Sequence, residues 1–300
     1  MNSMLNMWLA NVMASSHGNR TASTGPKGTK YPFYILAGQS NTGNDDAFAI
    51  TGSVTASYSG GLAIPNANIW NPNYPADNSH FNIMATGVNT MCRNSSWPSS
   101  SFGSEVSLFY NLNSASAAPR YMLKHGVVGT SLANDWNSRT PGLLWTQLNT
   151  YITTLVPQMV ASGSLPVLKG FIWMQGESDS QDTGSANNYL QELKNFFADF
   201  KSLWASQVSA YNLPTSSNNF VTVIGRINAP DTGSYPYRAT VRAAQVEYCS
   251  TASNNAVYIN TDGYSLTQGD PVHYSVSGQL QFGLDQFQQI KTYYSSSGSF

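Results

Sequence analysis

The chain has 300 residues, of which 41% are hydrophobic and 10% charged, and its formal net charge is -1. This length and hydrophobic content are enough for one large domain with a sizeable core, and we expect one domain rather than two. The near-zero net charge excludes the electrostatic footprint of a protein that binds nucleic acid or an anionic membrane surface. A neutral partner, such as a carbohydrate, fits this composition better.

The first 30 residues are expected to lie outside the folded domain. Residues 4–14 are apolar enough for the core of a signal peptide, but no positive segment precedes them, so residues 1–30 form either a flexible leader or a targeting segment. No apolar run reaches the length of about 18 residues that a membrane span needs. The scarcity of charged residues favours a protein that is extracellular, periplasmic or attached to the cell surface. Cys92 and Cys249 either pair or are both free.

The apolar pattern predicts strands that alternate with helices. Strands are predicted at residues 31–37, 121–128, 167–174, 220–227 and 256–260, and helices at residues 143–160, 186–208 and 237–247. This alternation indicates βαβ units and an α/β fold, in which helices cover both faces of a mostly parallel sheet. We therefore expect a three-layer α/β/α sandwich with a five-stranded sheet, in a single domain over residues 31–295.

A long polar stretch separates the first two predicted strands. Residues 44–101 are rich in Asn, Ser, Gly and Pro, and no periodicity lasts there, which predicts an irregular insertion. The insertion either forms a wall over a binding site or is an ordinary surface loop. Its aromatic residues Trp70, Tyr74 and Trp97 suit stacking on sugar rings, and they equally suit packing of the insertion itself.

Ser40 follows the first predicted strand directly. Ligands of open α/β sheets bind outside the carboxyl ends of the strands, which is where Ser40 is expected. Gly38 permits a tight turn there, and a helix starting after Ser40 would direct N–H groups towards an anion. A lone serine in such a turn is usually a solvated turn residue, so a catalytic role requires partners elsewhere.

His273 is the best candidate for such a partner. Asp270 lies three residues before it, a spacing that lets the carboxylate bind one imidazole nitrogen while the other faces Ser40. Taken alone, this pair is more often a structural hydrogen bond. Of the other histidines, we expect His17 and His80 on the surface, and His125 in the core.

Two further strand ends carry groups suited to an oxyanion hole. Gln175 follows the strand at 167–174, and its amide could donate to an oxyanion. Gly129 follows the strand at 121–128, and its N–H could approach a ligand closely.

Together, these segments resemble the SGNH hydrolase superfamily and, within it, the sialate O-acetylesterase and acetylxylan esterase group called carbohydrate esterase family six. The matching blocks are Gly38-Gln39-Ser40-Asn41, Gly129-Thr130-Ser131, Trp173-Met174-Gln175-Gly176-Glu177 and Asp270-Pro271-Val272-His273. The resemblance spans about residues 31–285, and four blocks in this order are a specific signal, whereas each alone is weak. It implies a flavodoxin-like SGNH fold and no metal or other cofactor.

The resemblance also implies a mechanism. Ser40 would attack an acetyl ester, His273 would carry the proton and Asp270 would orient His273, through an acetyl-enzyme that water hydrolyses. The N–H groups of Ser40 and Gly129 and the amide of Gln175 would bind the oxyanion.

Three nearby residues are assigned supporting roles. Glu177 either shares the acid role of Asp270 or pairs with Arg242, and we favour the pairing. Asn41 either supports the geometry of Ser40 or is a plain turn residue.

Departures from known patterns are few. Met174 replaces a frequent histidine of the family and Ser104 replaces a proline, and neither touches the proposed triad. Thr42 stands where the elbow of α/β-hydrolases would have glycine.

The expected function is removal of O-acetyl groups from xylan, sialic acid or another glycan, with the acetylated carbohydrate as partner. The alternatives are a glycan-binding module of the same fold and an SGNH lipase or thioesterase for longer acyl chains. No nucleic acid partner and no membrane span are expected, and the sequence indicates no particular oligomeric state.

Overall fold

The computed structural model describes residues 27–43, 63–72, 81–85, 102–228 and 233–295. Within them lies one seven-stranded sheet, with the strand order β3-β2-β4-β1-β5-β6-β7. The strands are β1 Thr29–Gly38, β2 Ala63–Trp70, β3 Asn82–Ala85, β4 Arg120–Gly126, β5 Ser164–Met174, β6 Val221–Arg226 and β7 Ala256–Asn260. All neighbouring strands run parallel except β2 and β3, which are antiparallel.

Helices cover both faces of this sheet. They are α1 Glu105–Ala115, α2 Leu143–Ala161, α3 Thr183–Ala210, α4 Arg238–Ser250 and α5 Val276–Ser295. Helix α1 packs against α5 to form one outer layer, while α3 packs against α2 and α4 to form the other. The α/β/α sandwich expected from the sequence is therefore confirmed.

Strand β1 occupies the middle of the sheet, paired with β4 on one side and β5 on the other. Its residues from Phe33 to Gly38 are all buried, because helices cover both faces of a central parallel strand. This burial explains the continuous apolar sequence of β1. It also fixes the position at which the chain leaves the sheet towards Ser40.

The predicted number of five strands is wrong, because β2 and β3 lie inside the stretch expected to be irregular. Strand β2 reads Ala-Ile-Pro-Asn-Ala-Asn-Ile-Trp, and its proline and two asparagines hide the strand pattern. Trp70 at its end is buried and packs edge-on against Tyr151, so it belongs to the core rather than to a sugar-binding surface. Tyr74 and Trp97 lie outside the described residues.

The expectations for the N-terminus and for Cys92 fall mostly outside the described residues. Strand β1 begins at Thr29, within the predicted leader. Cys249 carries a free thiol, and burial raises its pKa to about 12. In the part of the chain that the structure describes, no helix is long and apolar enough to cross a membrane.

An aromatic cluster fills the space between β5 and α3. The ring of Phe171 meets that of Phe200 at a centroid distance of 4.6 Å, and Trp173 lies 4.7 Å from Phe196 and 5.2 Å from Trp136. Buried aromatic pairs of this kind stabilise a core through both their area and their edge-to-face geometry. The carboxyl end of β5 is thereby held on a densely packed support.

Gly38 ends β1 directly against the backbone of Met174 at the end of β5. Its φ angle is +142°, and a Cβ atom there would lie 1.9 Å from the carbonyl oxygen of Met174. We predict that Gly38→Ala lowers the free energy of unfolding by about 3 kcal/mol or more, because backbone atoms cannot yield to the added methyl group.

Gly163 offers a matched control, because its φ is +80° but a Cβ there meets nothing within 4 Å. Gly163→Ala should therefore cost only about 1 kcal/mol of backbone strain. Urea unfolding of both variants measures the difference, and equal costs would contradict the steric explanation.

Candidate active site

Ser40, His273 and Asp270 form a hydrogen-bonded chain at the carboxyl edge of the sheet. The Oγ atom of Ser40 lies 2.9 Å from Nε2 of His273, although the two residues are 233 positions apart in sequence. The other ring nitrogen, Nδ1, lies 2.6 Å from Oδ2 of Asp270. This arrangement is able to remove the proton of a serine hydroxyl and to stabilise the imidazolium that results.

The loop between β7 and α5 presents Asp270 and His273. The second oxygen of Asp270, Oδ1, accepts hydrogen bonds from the backbone N–H groups of Val272 at 2.7 Å and His273 at 3.1 Å. Partial burial raises the pKa of Asp270, but the hydrogen bonds from the His273 ring and from the two backbone groups outweigh it and lower the pKa below its usual value. Asp270 therefore stays ionised at neutral pH.

Asn41 connects the turn after β1 to this loop. Its Nδ2 group donates to the carbonyl oxygen of Val272 at 3.1 Å and to Oε1 of Glu177 at 2.7 Å, and its Oδ1 atom accepts from the N–H of Tyr274 at 3.1 Å. The side chain is fully buried. These contacts support a role for Asn41 in the geometry around Ser40 rather than that of a plain turn residue.

Ser40 and Gly129 present backbone N–H groups suited to an oxyanion. Ser40 begins a 3-10 turn, Ser40–Thr42. Within the described part of the chain, neither the N–H of Ser40 nor that of Gly129 has a hydrogen-bond partner. Gly129 is exposed, so its N–H is accessible to a ligand.

Gln175 does not fit the oxyanion role expected for it. Its Nε2 group lies 2.6 Å from Oδ2 of Asp179, 3.0 Å from the carbonyl oxygen of Thr130 and 3.2 Å from Oε1 of Gln39, and the side chain is fully buried. An amide group has only two hydrogens, and three acceptors already surround them. Gln175 therefore ties the turn after β1 to the loop after β4, and that loop carries Gly129.

Asp179 is a buried carboxylate that the sequence analysis missed. It accepts the backbone N–H groups of Leu132 at 2.8 Å and Ala133 at 3.0 Å, in addition to the amide of Gln175. Burial raises its pKa, and these hydrogen bonds oppose the shift. The only sequence signal was its position four residues after Gln175, which does not reveal that its backbone partners lie 46 and 47 positions away.

The predicted pairing of Glu177 with Arg242 is wrong. Arg242 donates to both oxygens of Asp262, from Nη1 at 2.9 Å and from Nη2 at 2.8 Å, and also to the carbonyl oxygen of Ile227. Glu177 is 1% exposed and bonds instead to Asn41. Glu177 does not share the acid role either, since Asp270 occupies Nδ1 of His273.

The remaining candidates lie apart from this chain of groups. His125 is buried beneath the ring of Trp136 and lies 3.2 Å from the carbonyl oxygen of Leu144, as expected of a core histidine. His17 and His80 lie outside the described residues. In the described ranges, no three His, Cys, Asp or Glu side chains are grouped so as to hold a metal ion.

A comparison with protein families accounts for these segments together. The family described as "carbohydrate esterase, sialic acid-specific acetylesterase" matches residues 30–291, which include every residue of the site. The chain belongs to this family. Membership confirms the resemblance drawn from the sequence motifs and makes the protein a carbohydrate esterase in the broad sense. No curated protein matches the chain significantly.

Several solved structures share the fold of this chain. A protein from Arabidopsis thaliana has a TM-score of 0.63 at 16% identity, with coverage of 87% of this chain and 98% of its own. A structure of NanS has a TM-score of 0.58 at 12% identity, with 91% of this chain and 100% of its own covered. A carbohydrate acetylesterase from Xanthomonas citri has a TM-score of 0.54 at 14% identity, with 88% of this chain and 56% of its own covered. At these identities, the likeness supports the fold alone.

The buried carboxylate of Glu177 gives the esterase a testable pH dependence. Burial raises the pKa of Glu177 above its ordinary value of 4.5, so above pH 4.5 the folded protein binds more protons at this site than the unfolded chain. The contribution of Glu177 to the free energy of unfolding therefore falls as the pH rises through the interval between the two pKa values. Glu177→Gln removes this ionisation.

We predict that the stability of Glu177→Gln relative to the wild type increases with pH. Urea unfolding of both proteins at about pH 4 and about pH 8 measures this difference, with the lower pH chosen below the ordinary glutamate value. A difference that stays constant or falls with pH would contradict a raised pKa of Glu177.

Proposed function

We propose that this protein is a serine esterase that removes O-acetyl groups from a carbohydrate. The observation that carries the proposal is the hydrogen-bonded chain from Ser40 through His273 to Asp270. A protein that only bound glycans would not need a serine hydroxyl 2.9 Å from an imidazole whose far nitrogen is held by a carboxylate. Membership of the carbohydrate esterase family supports the same reaction.

The reaction begins with attack of the Ser40 hydroxyl on the acetyl carbonyl. His273 takes the hydroxyl proton at Nε2 and delivers it to the departing sugar oxygen, while Asp270 keeps Nδ1 protonated and stabilises the imidazolium. The acetyl group is then bonded to Ser40. A water molecule, deprotonated by the same imidazole, attacks this acetyl-enzyme and releases acetate.

The tetrahedral intermediate carries a negative oxygen in each half of the reaction. The N–H groups of Ser40 and Gly129 are suited to bind it, because they are preorganised and have no partner within the described chain. Gln175 supports this arrangement from behind, by holding the carbonyl oxygen of Thr130 next to Gly129. The proposed oxyanion hole therefore consists of two backbone donors rather than three groups.

The carbohydrate part of the proposal rests on family membership and on composition. Low charge suits a neutral polysaccharide substrate, and it also suits a protein that works outside the cytoplasm, which we include in the proposal. Acetylated xylan and O-acetylated sialic acid remain the candidate substrates. Release of acetate from a panel of acetylated polysaccharides and sialosides would identify the glycan.

Hydrolysis of p-nitrophenyl acetate tests the assigned roles. Ser40→Ala should abolish the activity, and Asp270→Asn should reduce kcat about 10⁴-fold because the imidazole then adopts the wrong tautomer. Ser178→Ala is a matched control, since Ser178 lies at the same edge of the sheet and makes no side-chain hydrogen bond within the described chain. Retention of activity in Ser40→Ala would reject the proposed nucleophile.

The second candidate within the fold is an esterase for longer acyl chains. A pocket limited to acetyl should lose kcat/KM steeply beyond three carbons, by about tenfold or more for each methylene that does not fit. A series of p-nitrophenyl esters from acetate to octanoate measures this dependence. Equal or rising kcat/KM along the series would favour a lipase or thioesterase, and binding of glycans without any ester cleavage would favour a binding module.

A further inference from the structure

We propose that Glu177 is a positioning residue for the esterase reaction, which acts through Asn41 on the backbone either side of His273. The inference rests on the proposed function, because it concerns the efficiency with which His273 serves Ser40. It gives the second buried carboxylate of the site a role that is neither the acid of the triad nor part of an ion pair with Arg242.

The side chain of Asn41 makes contact with both residues that flank His273. Its Nδ2 group holds the carbonyl oxygen of Val272, on the N-terminal side, and its Oδ1 atom holds the N–H of Tyr274, on the C-terminal side. Two hydrogen bonds that bracket one residue limit the rotation of its backbone. Since Asn41 directly follows Ser40 in sequence, the same side chain sets the imidazole relative to the serine hydroxyl.

Glu177 reinforces the orientation of the Asn41 amide, which the carbonyl oxygen of Val272 and the N–H of Tyr274 also select. An asparagine amide has nearly the same shape when it is rotated by 180°, and only its hydrogen-bond partners distinguish the oxygen from the nitrogen. The carboxylate of Glu177 accepts hydrogen bonds only, so its Oε1 atom at 2.7 Å requires the nitrogen on that side. The oxygen is then directed to the N–H of Tyr274, as the loop needs.

The burial of Glu177 indicates that its hydrogen bond with Asn41 has a functional role. Its side chain is 1% exposed and its second oxygen, Oε2, has no partner within the described chain. Burying a carboxylate with a single side-chain hydrogen bond costs stability, and an apolar residue would fill the same space at lower cost. The favourable charges that act on it come from His273 and Arg238, both of which contact or belong to the same loop.

Other anchors also hold the loop, and two of them act on the backbone of His273 itself, whose carbonyl oxygen accepts from the N–H of Thr267 at 2.9 Å and whose N–H donates to Oδ1 of Asp270 at 3.1 Å. The carbonyl oxygen of Pro271 accepts from Asn228 at 3.3 Å and from Arg238 at 3.3 Å and 3.4 Å. The hydroxyl of Tyr274 donates to Thr261 at 2.7 Å. These contacts fix the ends of the segment, so loss of the Glu177 bond should misplace the imidazole without unfolding the loop.

Two variants of Glu177 separate its hydrogen bond from its charge. Glu177→Gln keeps an acceptor oxygen for Asn41 and loses the charge, whereas Glu177→Met keeps the volume and loses the acceptor. We expect kcat for p-nitrophenyl acetate to fall about 10- to 100-fold in Glu177→Met and by less than about threefold in Glu177→Gln, with KM unchanged in both, since a small misplacement of a catalytic group acts on the chemical step. Equal losses in the two variants would overturn the proposal.

A double-mutant cycle tests whether Glu177 acts through Asn41. Asn41→Leu removes both hydrogen bonds from Asn41 to the backbone of Val272 and Tyr274. Glu177→Met should then reduce kcat no further, because Glu177 and Asn41 act as one unit. Independent effects that multiply in the double variant would contradict the mechanism.

Gln286→Met is the matched control, since Gln286 is also fully buried, donates one hydrogen bond to Ser104 and has an unpartnered oxygen within the described chain. It should lower the midpoint of thermal unfolding and leave kcat unchanged.

Amide hydrogen exchange provides a measurement that needs no activity. Exchange of the Tyr274 N–H should be at least about tenfold faster in Glu177→Met than in the wild type, because this N–H loses its fixed acceptor. Glu177→Gln and Gln286→Met should exchange like the wild type at this position. Unchanged exchange in Glu177→Met would overturn the proposal, while a wild type that exchanges as expected but cleaves no acetyl ester would reject the proposed function alone.

Discussion

The hydrogen bonds that join Asn41 to Val272 and Tyr274 are the contacts on which the rest of the site depends. They connect segments separated by 231 and 233 positions and bring the only serine–histidine pair of the site to 2.9 Å. The strands supply the approximate placement, because the carboxyl ends of parallel strands share one edge. The side chain of Asn41 supplies the final alignment, which a loop on its own would not maintain.

The sequence predicts best those features of the fold and the site that depend on residues close together in the chain. Strand β1 and the segment Asp270 to His273 could be predicted because an apolar run and a three-residue spacing are local signals. Strands β2 and β3 could not, since they are short or polar and belong to the sheet only through their pairing. The extra strands lengthen the sheet on one side and leave the site unaffected.

The roles of Gln175, Glu177 and Arg242 could not be predicted for the same reason. The sequence predicted an oxyanion role for Gln175 and a Glu177–Arg242 pair, but each of these residues binds a group that only the fold brings close. Gln175 meets the loop after β4, Glu177 meets the turn after β1, and Arg242 meets the start of the loop after β7. Competition among several nearby acceptors decided the outcome, and a sequence does not rank such competitors.

The central position of β1 has a consequence for how the protein acquires its structure. Its two neighbours, β4 and β5, lie about 90 and 130 residues further along the chain, so β1 has neither of its pairing partners until synthesis has passed Arg120. Parallel pairing over such separations gives a high contact order, which slows folding and leaves apolar strands exposed to aggregation. Ser40, the proposed nucleophile, is made early, but its hydrogen bond to His273 forms only after the loop with His273 has been synthesised and has docked. A partly made chain therefore holds the turn with Ser40 but not the hydrogen-bonded chain to His273 and Asp270, and under the proposed mechanism it would have no esterase activity until this late segment is in place.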